Sequence, residues 1–185
     1  YRLSASYRGG LPSVSSEGKR AGYFEMAEIM TQQEFLQDLE AFLREWHNDE
    51  PMVWVHTSGS TGTPKPLQVE KERMMASARL TCSFLGLKEG DTALLCMPLQ
   101  YIAGKMVVVR SLVAGLKLIP VVPSGHPLKD LKEAPTFAAM IPMQVFNTLQ
   151  IPEEKDKLKN IKHLIIGGGA IDEALASELK DFPNQ

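Results

Sequence analysis

One alternation narrows the choice of fold more than any other feature of the 185 residues. Short, unbroken apolar runs stand at 52–56 (M-V-W-V-H), 92–97 (T-A-L-L-C-M), 117–122 (K-L-I-P-V-V), 137–141 (F-A-A-M-I) and 163–166 (H-L-I-I). Runs of this length, bounded by turn-forming residues, read as strands buried on both faces. The intervening segments have helical character. T-Q-Q-E at 31–34 has capping-box spacing, and Phe35, Leu36, Leu39, Phe42, Leu43 and Trp46 then recur at helical spacing until near Asn48. Residues 69–85 read as a helix with Met74, Met75, Ala78, Thr81, Cys82 and Leu85 inward and Gly86 as its stop. Residues 102–114 form an apolar helix stopped by Gly115, P-M-Q-V-F-N-T-L-Q starts another at 142, and D-E-A-L-A-S-E-L-K closes the chain at 172–180. Strands alternating with helices predict a layered α/β domain with a mostly parallel sheet. Ligands of such sheets gather at the carboxyl ends of the strands. Both glycine-rich loops, 57–65 and 167–170, follow predicted strands and so fall at that edge. Residues 1–22, rich in glycine and serine, read as an irregular leader, with the domain running over 23–185.

Composition removes several classes of function. A net charge of −2 and a pI near 6.1 provide no basic field for nucleic acid. No apolar run reaches the roughly 18 residues that span a bilayer, and no charged-then-apolar secretory leader is visible. The cysteines, Cys82 and Cys96, form no C-x-x-C pair, which predicts two buried, reduced thiols and a cytoplasmic location rather than a disulfide framework or zinc site.

The densest chemistry lies in T-S-G-S-T-G-T-P-K at 57–65, with five hydroxyl side chains, two glycines and one lysine. Gripping a polyphosphate requires inward backbone amides, which glycine permits, together with hydroxyl donors and a cation. Taken alone, the segment is open to three readings: a polar turn, a phosphate loop of the Walker type, or a phosphate loop of another kind. The Walker pattern needs glycine immediately before the lysine and serine or threonine immediately after it. Here Pro64 and Pro66 flank Lys65, which disfavours that reading.

The complete string closely resembles the signature of the adenylate-forming superfamily: acyl-CoA synthetases, nonribosomal-peptide adenylation domains and luciferases. Those enzymes activate a carboxylate at the α-phosphate of ATP, release pyrophosphate and usually pass the acyl group to a thiol. The resemblance implies that Thr57, Ser58, Gly59, Ser60, Thr61, Gly62, Thr63 and Lys65 handle the ATP phosphates, with Lys65 as the catalytic cation. Later segments resemble the same family in the same order. C-M-P-L-Q-Y-I-A-G-K (96–105) is similar to M-P-L-[FH]-H-x-x-G, which lines the acyl pocket, although Gln100-Tyr101 replaces the aromatic–histidine pair. The resemblance offers Tyr101 as a pocket wall; packing at a helix start is the alternative. P-T-F-A-A-M-I-P-M-Q (135–144) is similar to a strand-to-helix turn of the family. H-L-I-I-G-G-G-A-I (163–171) is similar to the strand and loop that meet adenine, which implicates Gly168, Gly169 and Ala170. A dinucleotide fingerprint is rejected there, because Asp172 occupies its third glycine position.

The spacing P-L-x-x-x-x-G-x-x-x-x-x-R, ending at Arg110, resembles the o-succinylbenzoate–CoA ligases of menaquinone biosynthesis. An arginine in that helix is associated there with a carboxylate of the dicarboxylic substrate, which implies substrate contact for Arg110. The bland alternatives are snorkelling and a structural ion pair. Lys105 is a second candidate cation on the same helix, or simply an exposed one. The resemblance further implies ATP and CoA as co-substrates, and Mg²⁺ held by the glutamate of a Y-G-x-T-E string that this chain does not reach before Gln185. The expectation is therefore the N-terminal part of the large domain, inactive alone, with a severed sheet whose open edge favours self-association.

Overall fold

A computed structural model describes residues 30–57 and 65–182. The leader at 1–22 and the loop positions Ser58 to Pro64 lie outside the described residues. The chain runs α1 (Gln32–His47), β1 (Met52–Thr57), β2 (Lys65–Glu70), α2 (Lys71–Leu85), β3 (Thr92–Leu95), α3 (Ile102–Ala114), β4 (Lys117–Pro120), β5 (Phe137–Met140), α4 (Pro142–Leu149), α5 (Pro152–Asn160), β6 (His163–Ile166) and α6 (Glu173–Leu179). Strands β3 to β6 form one parallel sheet in the order β4-β3-β5-β6.

The two faces of this sheet explain why its strands read as unbroken apolar runs. Ala93 and Leu95 of β3, with Phe137 and Ala139 of β5, face a core filled by Phe35, Val53, Met74 and Met106. Leu94, Cys96, Ala138 and Met140 face the opposite way, into a core with Val145, Leu149, Leu158 and Leu175. Helices thus cover both sides, and Ala93 to Leu95 of β3 and the whole of β5 are apolar and buried. Both thiols are buried, as expected; burial pushes Cys96 up to about 12 and raises Cys82 as well.

Helix α3 is the inner post of the first layer, buried continuously from Gly104 to Ser111. Its close seat depends on Gly104. A Cβ there would lie 2.6 Å from the Pro98 carbonyl oxygen and 3.0 Å from that of Met97. On the other side of the sheet, Gln144 ties three segments together while wholly buried. Its Nε2 donates to the Cys96 and Ser124 carbonyls at 3.1 and 3.0 Å, and its Oε1 accepts from the Ile141 amide at 3.2 Å. The capping box at Thr31 also forms: the Glu34 amide donates to Thr31 Oγ1 at 3.2 Å, and the Thr31 amide donates to Glu34 Oε2 at 2.7 Å.

The structure departs from the sequence reading in three places. Strand β1 lies outside the parallel sheet and pairs antiparallel with β2, from Met52 opposite Glu70 to Thr57 opposite Lys65. Only its alternate residues Val53 and Val55 are buried; Trp54 is 53% exposed, and its apolar ring disguised a half-buried strand as a fully buried one. Strand β2 was not foreseen, since K-P-L-Q-V-E carries a proline without an N–H donor, and α2 accordingly begins at Lys71 rather than 69. Helix α5 was also missed. It starts at Pro152, with Glu153 and Glu154 in its first turn and Lys157 and Lys159 in its last, a charge order suited to the helix dipole. Only Glu154 and Leu158 on it are buried, so it has little hydrophobic periodicity to betray it.

Candidate functional site

The carboxyl ends of β3, β5 and β6 open, together with one face of α3, onto a cleft of about 210 Å³. Helix α3 contributes Ala103, Met106 and Arg110, which its pitch brings to one side. Met97 follows β3, Ala139 and Met140 end β5, and Ile165, Gly167 and Gly168 come from β6 and the turn after it. Main-chain hydrogen bonding fixes that turn, because the Gly167 amide donates to the Met140 carbonyl at 3.0 Å. Gly168 has φ +82, a left-handed conformation that side chains resist.

Arg110 supplies the charge. The residue is 9% exposed, and its guanidinium carbon lies 5.9 Å from the centroid of the Phe137 ring. A guanidinium presents forked donors whose geometry matches the oxygens of a carboxylate or phosphate. The surrounding apolar walls strengthen any such contact by excluding water.

The remaining candidates separate from this cleft. Gly169 stands beside Pro142, whose ring atoms are 3.5 Å from where a Cβ would be, and Ala170 is exposed. Tyr101, N-cap residue of α3, is 4% exposed and belongs to the first core. Lys105 is not exposed but 7% accessible. It points toward α1, with Nζ 3.9 Å from Glu45 Oε2 and 4.3 Å from the Phe42 ring centroid. Burial lowers its pKa below 10.5, against the raising influence of Glu45 and Asp38. Five positions separate Lys105 from Arg110, so the two cations leave α3 in different directions.

The stems of the 57–65 loop are defined even though Ser58 to Pro64 are not described. Thr57 and Lys65 pair at the loop end of the hairpin. Just before them, the His56 amide donates to the Gln100 carbonyl at 3.1 Å, and His56 forms a parallel bridge with Tyr101. The loop therefore springs from a point tied to the connection between β3 and α3, the same connection that carries Met97 of the cleft. Of the residues singled out in the sequence, Arg110 and Gly168 line this cleft; Met97, Ala103, Ile165 and Gly167 fall within the segments 96–105 and 163–171 without being singled out, and Met106, Ala139 and Met140 were not offered as site residues. The available signals were the carboxyl ends of the strands and, for Ala103 and Met106, the helical spacing to Arg110. Among the described residues no group of three or more His, Cys, Asp or Glu fits a metal ion, and no helix is long and apolar enough to cross a membrane.

Comparison with known proteins adds a pattern described as AMP-binding enzyme, which matches residues 14–185. A 2-succinylbenzoate–CoA ligase of Enterococcus faecalis is 31% identical over 134 residues, covering 70% of this chain and 28% of that protein. One of Escherichia coli is 29% identical over 125 residues, covering 68% of this chain and 26% of the other. The chain thus spans less than a third of these relatives' length. The crystal structure of an acyl-CoA synthetase (AMP-forming)/AMP-acid ligase II-like protein from Dyadobacter fermentans matches with a TM-score of 0.77 at 29% identity, over 86% of this chain and 47% of that one. The fold is shared also with o-succinylbenzoate coenzyme A synthetase from Bacillus subtilis, solved in complex with AMP, with a TM-score of 0.56 at 24% identity over 70% and 27% of the two chains.

Proposed function

Because the chain belongs to the AMP-binding enzyme family, we propose that it supplies the phosphate loop and the acid-binding cleft of an AMP-forming acid–CoA ligase, with o-succinylbenzoate as the acid. The observation that carries this reading is the meeting of Arg110 with Gly168 in one cleft at the strand ends. One element offers an anion-pairing cation, and the other a side-chain-free backbone against which a flat ring can lie.

In this reading Thr57, Ser58, Gly59, Ser60, Thr61, Gly62 and Thr63 hold the β- and γ-phosphates of ATP, and Lys65 offsets their charge. Arg110 holds one carboxylate of the dicarboxylic acid, while Met97, Met106 and Met140 adapt to its apolar body. A second carboxylate oxygen attacks the α-phosphorus. The bond from that phosphorus to the bridging oxygen breaks, and pyrophosphate departs with the electron pair, where Lys65 stabilises it. The CoA thiol, losing its proton, then attacks the acyl carbon and displaces AMP. Mg²⁺ accompanies ATP in this proposal, but the described residues do not fit it and no step is derived through it. Tyr101 and Lys105 are given no contact with the acid, and the 185 residues alone are proposed not to turn over.

Arg110→Ala in the longest natural polypeptide that contains this chain tests the assignment. The efficiency with o-succinylbenzoate should fall roughly 10- to 100-fold, the worth of a charged hydrogen bond, with the KM for ATP unchanged. An unaltered efficiency removes Arg110 from the site, and loss with one acid but not another identifies a different substrate. Products should be AMP and pyrophosphate; ADP would refute adenylation. Robust pyrophosphate release by the isolated 185-residue chain would refute its inactivity.

A further inference from the structure

Strand β1 turns one edge toward β2, and the donors of its other edge are met in an orderly way. The outward amide of Trp54 donates to Glu45 Oε1 at 2.8 Å, and the next outward amide, that of His56, donates to the Gln100 carbonyl at 3.1 Å. Thr57 and the loop follow at once. A carboxylate acceptor makes the first of these bonds charge-assisted and stronger than one to a neutral carbonyl. The other oxygen of the same carboxylate, Oε2, is 3.9 Å from Lys105 Nζ. One side chain thereby joins α1, α3 and the hairpin.

Burial weighs against an ammonium at position 105. Desolvation dominates its environment, outweighing the attraction of Glu45 and Asp38. Methionine would bury a similar stem over Phe42 but would leave the partly buried Glu45 carboxylate without its cation. The geometry supplies a reason for the charge: the ammonium faces the carboxylate that grips β1. We infer that Glu45, held by Lys105, is a positioning residue that fixes the hairpin carrying the 57–65 loop. The consequence for nucleotide rests on the reading that this loop binds the ATP phosphates.

Amide hydrogen exchange followed by NMR on the 185-residue chain tests the clamp without reference to ATP. Glu45→Ala should speed exchange at Trp54 by about tenfold or more, the loss of one charged hydrogen bond. Lys105→Met should speed it less, and the double variant should match Glu45→Ala alone. Exchange at Leu94 and Ala138 should be unchanged in each. Unaltered exchange at Trp54, or acceleration shared equally by Leu94 and Ala138, overturns the inference. Calorimetry with ATP on the same proteins addresses the loop separately. If the wild-type chain binds ATP, Lys105→Met should weaken it several-fold, and equal binding overturns the positioning role. If Trp54 responds as expected while Lys65→Ala leaves ATP binding by the longest natural polypeptide containing this chain unchanged, the clamp stands and the phosphate-loop reading fails.

Discussion

The cleft beside Arg110 and the hairpin that carries residues 57–65 differ in how much of each is buried and in what holds it. The cleft is made of strand ends and a helix buried on every side, and its shape is fixed by main-chain contacts such as Gly167 to Met140 and Gly104 against Pro98. The hairpin buries one face only, through Val53 and Val55, and side chains share its mooring with the main-chain bond from His56 to Gln100. Glu45 takes the Trp54 amide, and Lys71 Nζ donates to the Asn48 carbonyl and Oδ1 at 2.8 and 2.7 Å. Damage to the cleft should therefore register in the stability of the whole chain, whereas damage to the hairpin should register locally.

The sharpest test of that contrast is Gly104→Val. A branched side chain forced against the Pro98 carbonyl should cost about 3 kcal/mol, measured by urea denaturation. Gln144→Leu comes next, leaving the Cys96 and Ser124 carbonyls buried without their donor, and should cost about 2 kcal/mol in the same assay. Thr31→Ala removes the cap of the helix from which Glu45 reaches the hairpin, at about 1 kcal/mol. Trp54→Ala, on the hairpin's exposed face, should stay within about 0.5 kcal/mol. A large global loss from Trp54→Ala would break the distinction between the two regions.

The smallest effect is a pH dependence. Lys105 has a lowered folded-state pKa, so between that value and 10.5 the unfolded chain binds more protons than the folded one. Its contribution to stability therefore rises with pH across that window. A Tm series toward pH 10.5 should show a positive contribution that Lys105→Met removes; an identical slope in both proteins would contradict it.

The same contrast governs what can be read from the chain itself. The parallel strands announce themselves because burial on both faces forces continuous apolar runs, as in F-A-A-M of β5. The hairpin is quieter: β2 carries Pro66 and mostly exposed residues, and its strand state is imposed by pairing with β1. Arg110 and Gly168 are conspicuous as a cation in an apolar helix and a member of a glycine run. Met97, Met106 and Ala139 resemble any other core residue, and only the meeting of three strand ends gives them a cleft to line. The direction of Lys105 depends on which helix faces it, information held in α1 rather than in the residues around it. Pairing of Glu45 with the Trp54 amide joins residues whose relation no local pattern encodes.

The two sequestered sulfurs have a practical use. Thiolate is the form that alkylating reagents attack, and neither Cys82 nor Cys96 presents it near neutral pH. The native chain should thus be silent toward maleimides while folded, with no cysteine-free background to engineer. A cysteine placed at Phe84, 87% exposed on α2, would take a single fluorophore, and the motion of the hairpin could be followed from a fixed point on the molecule.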